Sequence, residues 1–185
     1  LLIAPNAFKN SLDADAAAVA IQDGFLRSKL NCTCECFPIG DGGDGTAEFT
    51  RRLDNLYNFS IYGLAFGYPT YERAESRHIH TKHGSFAQYT MALHEAFQRA
   101  NEWKADIIIY QAGMDCHQAD PYGSAWFTTE LIQKRDEMVF NLAKRDNIPI
   151  MFVLAGGYQN LDDLAKLHAE TFHIAHRIYY GKNKD

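Results

Sequence analysis

The sequence predicts one three-layer α/β domain spanning residues 1–185, with a parallel five-stranded sheet between two layers of helices. Three observations predict it. Short strand-like runs recur at residues 1–4, 32–39, 58–62, 106–110 and 148–154, and stretches of helical period lie between them. Strands alternating with helices favour parallel pairing through crossover connections. The run Ile107-Ile-Ile-Tyr is short, β-branched and flanked by polar residues, as suits a strand buried on both faces. Finally, 46% hydrophobic against 22% charged residues in 185 is ordinary globular composition, with enough chain for a full core.

In order, Leu1-Leu-Ile-Ala is the first strand, ended by Pro5. A polar loop follows, and Ser11 or Asp13 can cap a helix over about residues 14–30 whose apolar face is Val19, Ile21, Phe25, Leu26 and Leu30. Residues 32–39 alternate as a second strand, and Gly40-Asp-Gly-Gly-Asp-Gly-Thr is the loop at its carboxyl end. A short helix leads to a strand over residues 58–62, and the polar, mixed-charge residues 68–80 read as a long surface loop. Phe86, Tyr89, Leu93, Phe97 and Ala100 recur at three and four, so residues 86–103 form a helix. After the strand at 106–110, Thr128 or Thr129 caps a helix running to about Arg145, with Leu131, Ile132, Met138, Val139 and Leu142 inward. The last strand covers 148–154. Asn160 caps the final helix, whose face is Leu161, Leu164, Leu167, Thr171, Ile174 and Ile178. The strand order is flavodoxin-like or Rossmann-like, and the pattern alone leaves both open.

The net charge of -5 leaves no basic footprint for nucleic acid, and no apolar run reaches membrane-span length. The chain begins on a strand without Met or a leader-like segment, so its start is read as cut, processed or engineered away. Cys32, Cys34 and Cys36 alternate on one strand face while Cys116 is remote. Reduced thiols in a cytoplasmic protein are therefore expected, with a Cys-x-Cys-x-Cys metal site as the lesser alternative.

The functional centre of the pattern is residues 111–123, Gln-Ala-Gly-Met-Asp-Cys-His-Gln-Ala-Asp-Pro-Tyr-Gly, directly after the Ile107 run. Asp115 falls just past the strand's carboxyl end, the edge where open α/β sheets bind ligands. Asp-Pro and Gly are also ordinary turn residues. Together with Trp126-Phe-Thr-Thr-Glu-Leu, Arg135-Asp136 and Leu154-Ala-Gly-Gly-Tyr, this stretch resembles the zinc-dependent histone deacetylase family, its bacterial members in particular. The resemblance implies acetyl-amide hydrolysis of a small acetylated substrate, a zinc cofactor, Asp115 as a zinc ligand and Tyr158 as the catalytic donor to the oxyanion. From Gly43 the chain is similar to the same family's Gly-Asp-Gly-Thr loop, helix and strand.

The first 46 residues carry another resemblance. Ile3-Ala-Pro-Asn-Ala-Phe-Lys-Asn-Ser-Leu and Pro38-Ile-Gly-Asp-Gly-Gly-Asp-Gly-Thr are similar to the amino-terminal segment of bacterial glycerate kinases. The two resemblances overlap on Gly-Asp-Gly-Thr, which places a recombination joint at residues 40–46 of a chimera, natural or engineered. In the kinase reading the glycine-rich loop, Lys9 and Ser11 would contribute to substrate or nucleotide binding. The loop lacks the Lys-Ser or Lys-Thr of a P-loop, so no cofactor-binding residue is assigned.

The deacetylase pattern expects two further ligands where this chain has Ile39 and Asp41, and an upstream His-His base that it lacks. Isoleucine cannot ligate. Asp41 can, and His117, two residues past Asp115, is a third metal candidate or else a loop-lining residue. His78, His80 and His83 read as solvated loop histidines. Three readings follow: a deacetylase-type zinc hydrolase by descent, impaired or inactive; a chimeric α/β scaffold without catalysis; a glycerate-kinase-like phosphoryl-transfer remnant. Sheet edges left by missing parental strands would suit a homodimer.

Overall fold

The structure, a computed structural model, describes residues 2–3, 35–36, 53–63, 74–80, 83–123 and 126–181. The chain divides into two compact units, Leu1–Asn58 with Pro69–Ala74, and Phe59–Tyr68 with Glu75–Asp185. In the first, β1 (Leu2–Ile3) pairs in parallel with β2 (Glu35–Cys36), Leu2 opposite Glu35 and Ile3 opposite Cys36. The expected helix over 14–30 and the loop 40–46 with Asp41 lie outside the described residues.

The second unit holds nearly all the described elements: β3 (Asn58–Tyr62), β4 (Ala74–His78), α1 (Phe86–Glu102), β5 (Ile108–Gln111), α2 (Thr129–Arg145), β6 (Ile150–Val153) and α3 (Leu161–Tyr180). Among the described residues the strands pair in twos, β1 with β2, β3 with β4 and β5 with β6. The α/β architecture stands, and among the described residues a five-stranded sheet is not shown. β4 corrects the expected loop over 68–80. Its Ala-Glu-Ser-Arg-His has no apolar alternation, and what steadies it lies across the pair. The Arg77 guanidinium sits 5.4 Å above the Phe59 ring, His78 stacks on Tyr62 at 5.2 Å, and the Ile79 amide donates to the Tyr62 carbonyl at 2.9 Å.

The helix ends follow local chemistry. Ser85 and Gln88 form a capping box at α1, each side chain accepting from the other's backbone N–H. Thr128, not Thr129, caps α2 by accepting from the Leu131 amide, and Asn160 caps α3 through Asp162. Both α1 and α2 end in a left-handed residue, Lys104 (φ 57°) and Asn147 (φ 53°). In each case the following amide reaches back to the carbonyl of Ala100 or Ala143, the Schellman arrangement that satisfies the last carbonyls.

β5 and β6 run parallel, Ile108 opposite Ile150 through Gln111 opposite Val153. Ile108, Tyr110 and Ile150 pack onto a core of Leu93, Phe97, Val139, Leu142 and Ala143 from α1 and α2. The other face of the pair, with Ile109 and Met151, is 43% and 44% exposed. A second core, Met114, Phe127, Ile132 and Leu167, lies under the loop after β5. There Phe127 meets Phe86, Tyr89 and Trp126 with ring centroids 5.7, 5.1 and 4.2 Å away. The register of β5 on β6 thus brings the loops after both strands to the same edge.

Candidate functional site

Residues 112–123 leave β5 under tight backbone control. Ala112 N–H donates to Val153 O at 3.0 Å and Met114 N–H to Gly156 O at 2.9 Å, so the loops after β5 and β6 are tied along their first residues. Phe127 then clips the loop from the other side, donating to Cys116 O at 3.0 Å and accepting from Gln118 N–H at 2.8 Å.

Beneath the loop lies a buried polar network. Arg135 and Asp136 of α2 are 4% and 1% exposed. Arg135 Nη1 donates to Gly113 O at 2.6 Å and to Cys116 Sγ at 3.3 Å, while Nε donates to Asp136 Oδ1 at 2.9 Å. Asp136 also accepts from the Tyr110 hydroxyl at 2.5 Å and the Thr171 hydroxyl at 2.7 Å. An unsatisfied ion here would cost several kcal/mol (~3–5 for a broken buried pair), so every charged atom is matched. Burial pushes the Tyr110 phenol and the Cys116 thiol up from their ordinary values and keeps both protonated. Burial opposes the Arg135 charge, but the Asp136 carboxylate beside it holds its pKa well above the usual value.

Asp115 stands above this network, exposed to solvent, its carboxylate against the backbone of Gly156. A Cβ on Gly156 would lie 2.7 Å from Asp115 Oδ2, and the residue has a φ of +31°. Only glycine allows this approach. Asp120 does the other half of the joining. Buried to 4% exposure, its Oδ1 accepts from the amides of Tyr122 and Gly123 at 2.9 and 2.8 Å, and its Oδ2 from the Tyr158 amide at 2.6 Å. Tyr158 is thereby fixed to the Asp115 loop, its ring edge-on to Tyr122 at 5.6 Å.

His117 is 9% exposed, and both ring nitrogens are engaged. Nδ1 accepts from the Ala119 amide at 3.2 Å and lies 3.1 Å from Gln159 Oε1, and Nε2 lies 3.2 Å from Thr129 Oγ1. So placed, the imidazole braces the loop against α2 and the Tyr158 loop. Sequence reasoning gave no role to Asp120 or Gln159, and it quoted Arg135 for the family resemblance without assigning its bonds. Asp-Pro-Tyr-Gly signalled a turn at Asp120, but nothing signalled the bond to Tyr158.

A histone deacetylase domain model matches residues 42–175, well over half of the chain. The chain belongs to the histone deacetylase domain family. Its curated relatives include an uncharacterised protein of Picosynechococcus, 24% identical over 140 residues, which are 74% of this chain and 46% of that protein. Histone deacetylase 2 of Arabidopsis thaliana is 36% identical over 72 residues, 38% of this chain and 19% of the relative. Glycerate kinase of Neisseria meningitidis is 45% identical over 56 residues, 30% of this chain and 15% of that kinase. The chain thus spans less than half the length of these curated relatives. Among solved structures, the acetylpolyamine aminohydrolase of Burkholderia pseudomallei superposes with a TM-score of 0.50 at 15% identity, covering 89% of this chain and 60% of that one. This likeness shows the fold.

A hydrolytic zinc centre takes three protein ligands and one open position. Among the described residues no three His, Cys, Asp or Glu side chains meet in such an arrangement. Asp115 presents a carboxylate at the right edge, the ring nitrogens of His117 are already engaged within the loop, and Asp41 lies outside the described residues. The described donors do not by themselves make up the family's metal.

Proposed function

We propose that this chain is a deacetylase-type hydrolase by descent, directed at an acetyl-amide bond in a small acetylated substrate, with an incomplete zinc site and impaired catalysis. The observation that carries the reading is the joining of the Asp115 loop to the Tyr158 loop by Asp120. It keeps a candidate ligand and a candidate oxyanion donor on one rigid edge, as preorganised electrostatic stabilisation requires. In this reading Asp115 is the surviving metal contact, with His117 in reserve, and the Tyr158 hydroxyl would donate to the substrate oxygen as charge develops on it. The departures Ile39 and Asp41, and the absence of any adjacent His-His pair, account for the impairment.

The test is zinc retained after dialysis, beside an Asp115→Ala control, together with acetyl-lysine hydrolysis. The expected result is a weakly held zinc fraction that the control loses, with trace hydrolysis. One tightly held, Asp115-dependent zinc per chain with rapid turnover would overturn the impairment. Equal zinc retention in parent and control would reduce the reading to ancestry.

A second reading, a recombined α/β scaffold without catalysis, is favoured by one observation: the family match begins at residue 42, inside the expected joint at 40–46. The identity to glycerate kinase is likewise confined to 30% of the chain. A phosphoryl-transfer remnant would reveal itself as thermal stabilisation by ATP and Mg²⁺, which follows mass action. The scaffold reading expects neither that shift nor Asp115-dependent zinc.

A further inference from the structure

Among the described residues β6 is paired along one edge, that of β5. The N–H groups of Ile108 and Ala112 donate to the carbonyls of Pro149 and Val153 at 2.8 and 3.0 Å, so the β5 side of β6 uses residues 149, 151 and 153. Strand geometry then turns the N–H and C=O groups of Ile150, Phe152 and Leu154 to the opposite edge. There, among the described residues, no backbone partner meets them. Edge strands are usually guarded by a charge or a proline, and Ile150-Met-Phe-Val-Leu carries neither. The neighbouring flank of α3 is as bare. Phe172 sits over Phe152 at 4.8 Å between ring centroids and is 53% exposed. Leu161, Ala165, Ala169, Phe172, His176 and Tyr180 share one stripe at helical spacing, without a Lys, Arg, Asp or Glu among them.

We propose that this edge and flank are the interface of a two-fold homodimer, in which β6 pairs antiparallel with β6 of a second copy and joins the two β5–β6 pairs into one sheet. The choice of occupant follows from the symmetry of the surface. The outward groups are spaced evenly about Phe152. A two-fold axis there, normal to the sheet, places Phe152 opposite the partner's Phe152 and Ile150 opposite the partner's Leu154, each pair exchanging both hydrogen bonds. The same axis sets α3 antiparallel to its copy. The acidic first turn, with Asp162 and Asp163, then lies toward the last turn with the partner's Arg177, and the two helix dipoles oppose. The area suffices as well. Met151, Leu154, Leu161, Phe172 and Tyr180 border the edge and are 44% to 78% exposed. At about 200 Å² for a fully exposed large side chain they present about 600 Å² per copy, most of the ~800 Å² that a standard interface buries on each side. Two strands alone make a marginal sheet, so the pairing also supplies the further strands that β5 and β6 want.

Amide hydrogen exchange of the full chain, read by nuclear magnetic resonance at rising protein concentration beside sedimentation equilibrium, tests the interface. The expected result is a dimer that dissociates on dilution. The Ile150, Phe152 and Leu154 amides should be protected in the dimer alone, and those of Met151 and Val153 in both states. Phe172→Glu should weaken association at least about ten-fold, because the axis brings the two new carboxylates together. Met91→Glu, at an exposed position of α1, should leave association unchanged. If Phe172→Glu fails to fold, the exchange pattern of the parent decides by itself. A chain that stays monomeric overturns the proposal: freely exchanging outer amides would leave the edge to a different protein, and protection at every concentration would mark a strand of the same chain. A dimer undiminished by Phe172→Glu, or one whose three outer amides stay open, overturns it too.

Discussion

Arg135 and Arg77 each hold carboxylates, in opposite surroundings. Arg135 lies under the Asp115 loop with its side chain 5% exposed, and its guanidinium reaches a carboxylate, a backbone carbonyl and two sulfurs. Arg77 lies on β4 with its side chain 36% exposed, held by Glu95 and Glu75. Inside, attraction is strong and desolvation is costly, so each atom of the ion must be partnered and the whole arrangement is rigid. Outside, water and salt can replace either partner at little cost. The site edge is thereby built stiff, and the β4 surface is left able to adapt. That difference suits a preformed constellation at Asp115 and Tyr158.

The sharpest way to break the comparison is Asp136→Ala. It strands the Arg135 charge and the hydroxyls of Tyr110 and Thr171, and a loss of about 3–5 kcal/mol is expected in urea unfolding. Adding Arg135→Met should restore part of that, because the orphaned charge is gone. A double variant as unstable as the sum of both singles would show that the two residues do not act as a pair.

Asp120→Ala comes next. It removes one acceptor from three amides, those of Tyr122, Gly123 and Tyr158, and should cost about 1–3 kcal/mol. Hydrogen exchange at these three amides should accelerate while β5 and β6 stay protected. Unchanged exchange at Tyr158 would remove the joint between the two loops.

His168 reports on the interior from its rim. Burial, reinforced by the Arg135 charge and partly offset by Asp136, holds its imidazole below the ordinary value, and its Nδ1 is buried without a protein partner. The unfolded chain therefore takes up the proton first. Its contribution to stability is complete above the ordinary histidine value and lost as pH falls through that value toward the folded one. The drop in melting temperature from about pH 7.5 to about pH 5.5 should be smaller in His168→Gln. An equal drop would place the acid sensitivity elsewhere.

The smallest effect belongs to Arg77→Ala. Its melting temperature should stay within error of the parent, and any difference should vanish at about 1 M salt. A large loss would mean that the β4 surface is as rigid as the site edge.

How much was legible beforehand differs between these regions for the same reason. The word Gln-Ala-Gly-Met-Asp after an apolar run pointed to Asp115, and Ala-Gly-Gly-Tyr pointed to Tyr158, because each is a contiguous motif. Asp120 was visible only as a turn residue, since its bond to the Tyr158 amide spans 38 positions. β4 was missed because its residues are polar and its support comes from Phe59 and Tyr62 across the pair. His78, His80 and His83 read as solvated and are exposed, while the stacking of His80 on His83 was not legible.

By itself the sequence determined the local elements of the described second half. The helices at Phe86–Glu102, Thr129–Arg145 and Leu161–Tyr180 and the strands at Ile108–Gln111 and Ile150–Val153 follow from apolar periodicity and from caps such as Thr128 and Asn160. Those signals act over a few residues, so they survive without knowledge of the fold. Tertiary structure alone decided which polar groups meet. Arg135 reaches Gly113 across 22 positions and Thr171 reaches Asp136 across 35. Such pairs form because burial makes an unpartnered charge costly, and no local pattern records where the partner will come from.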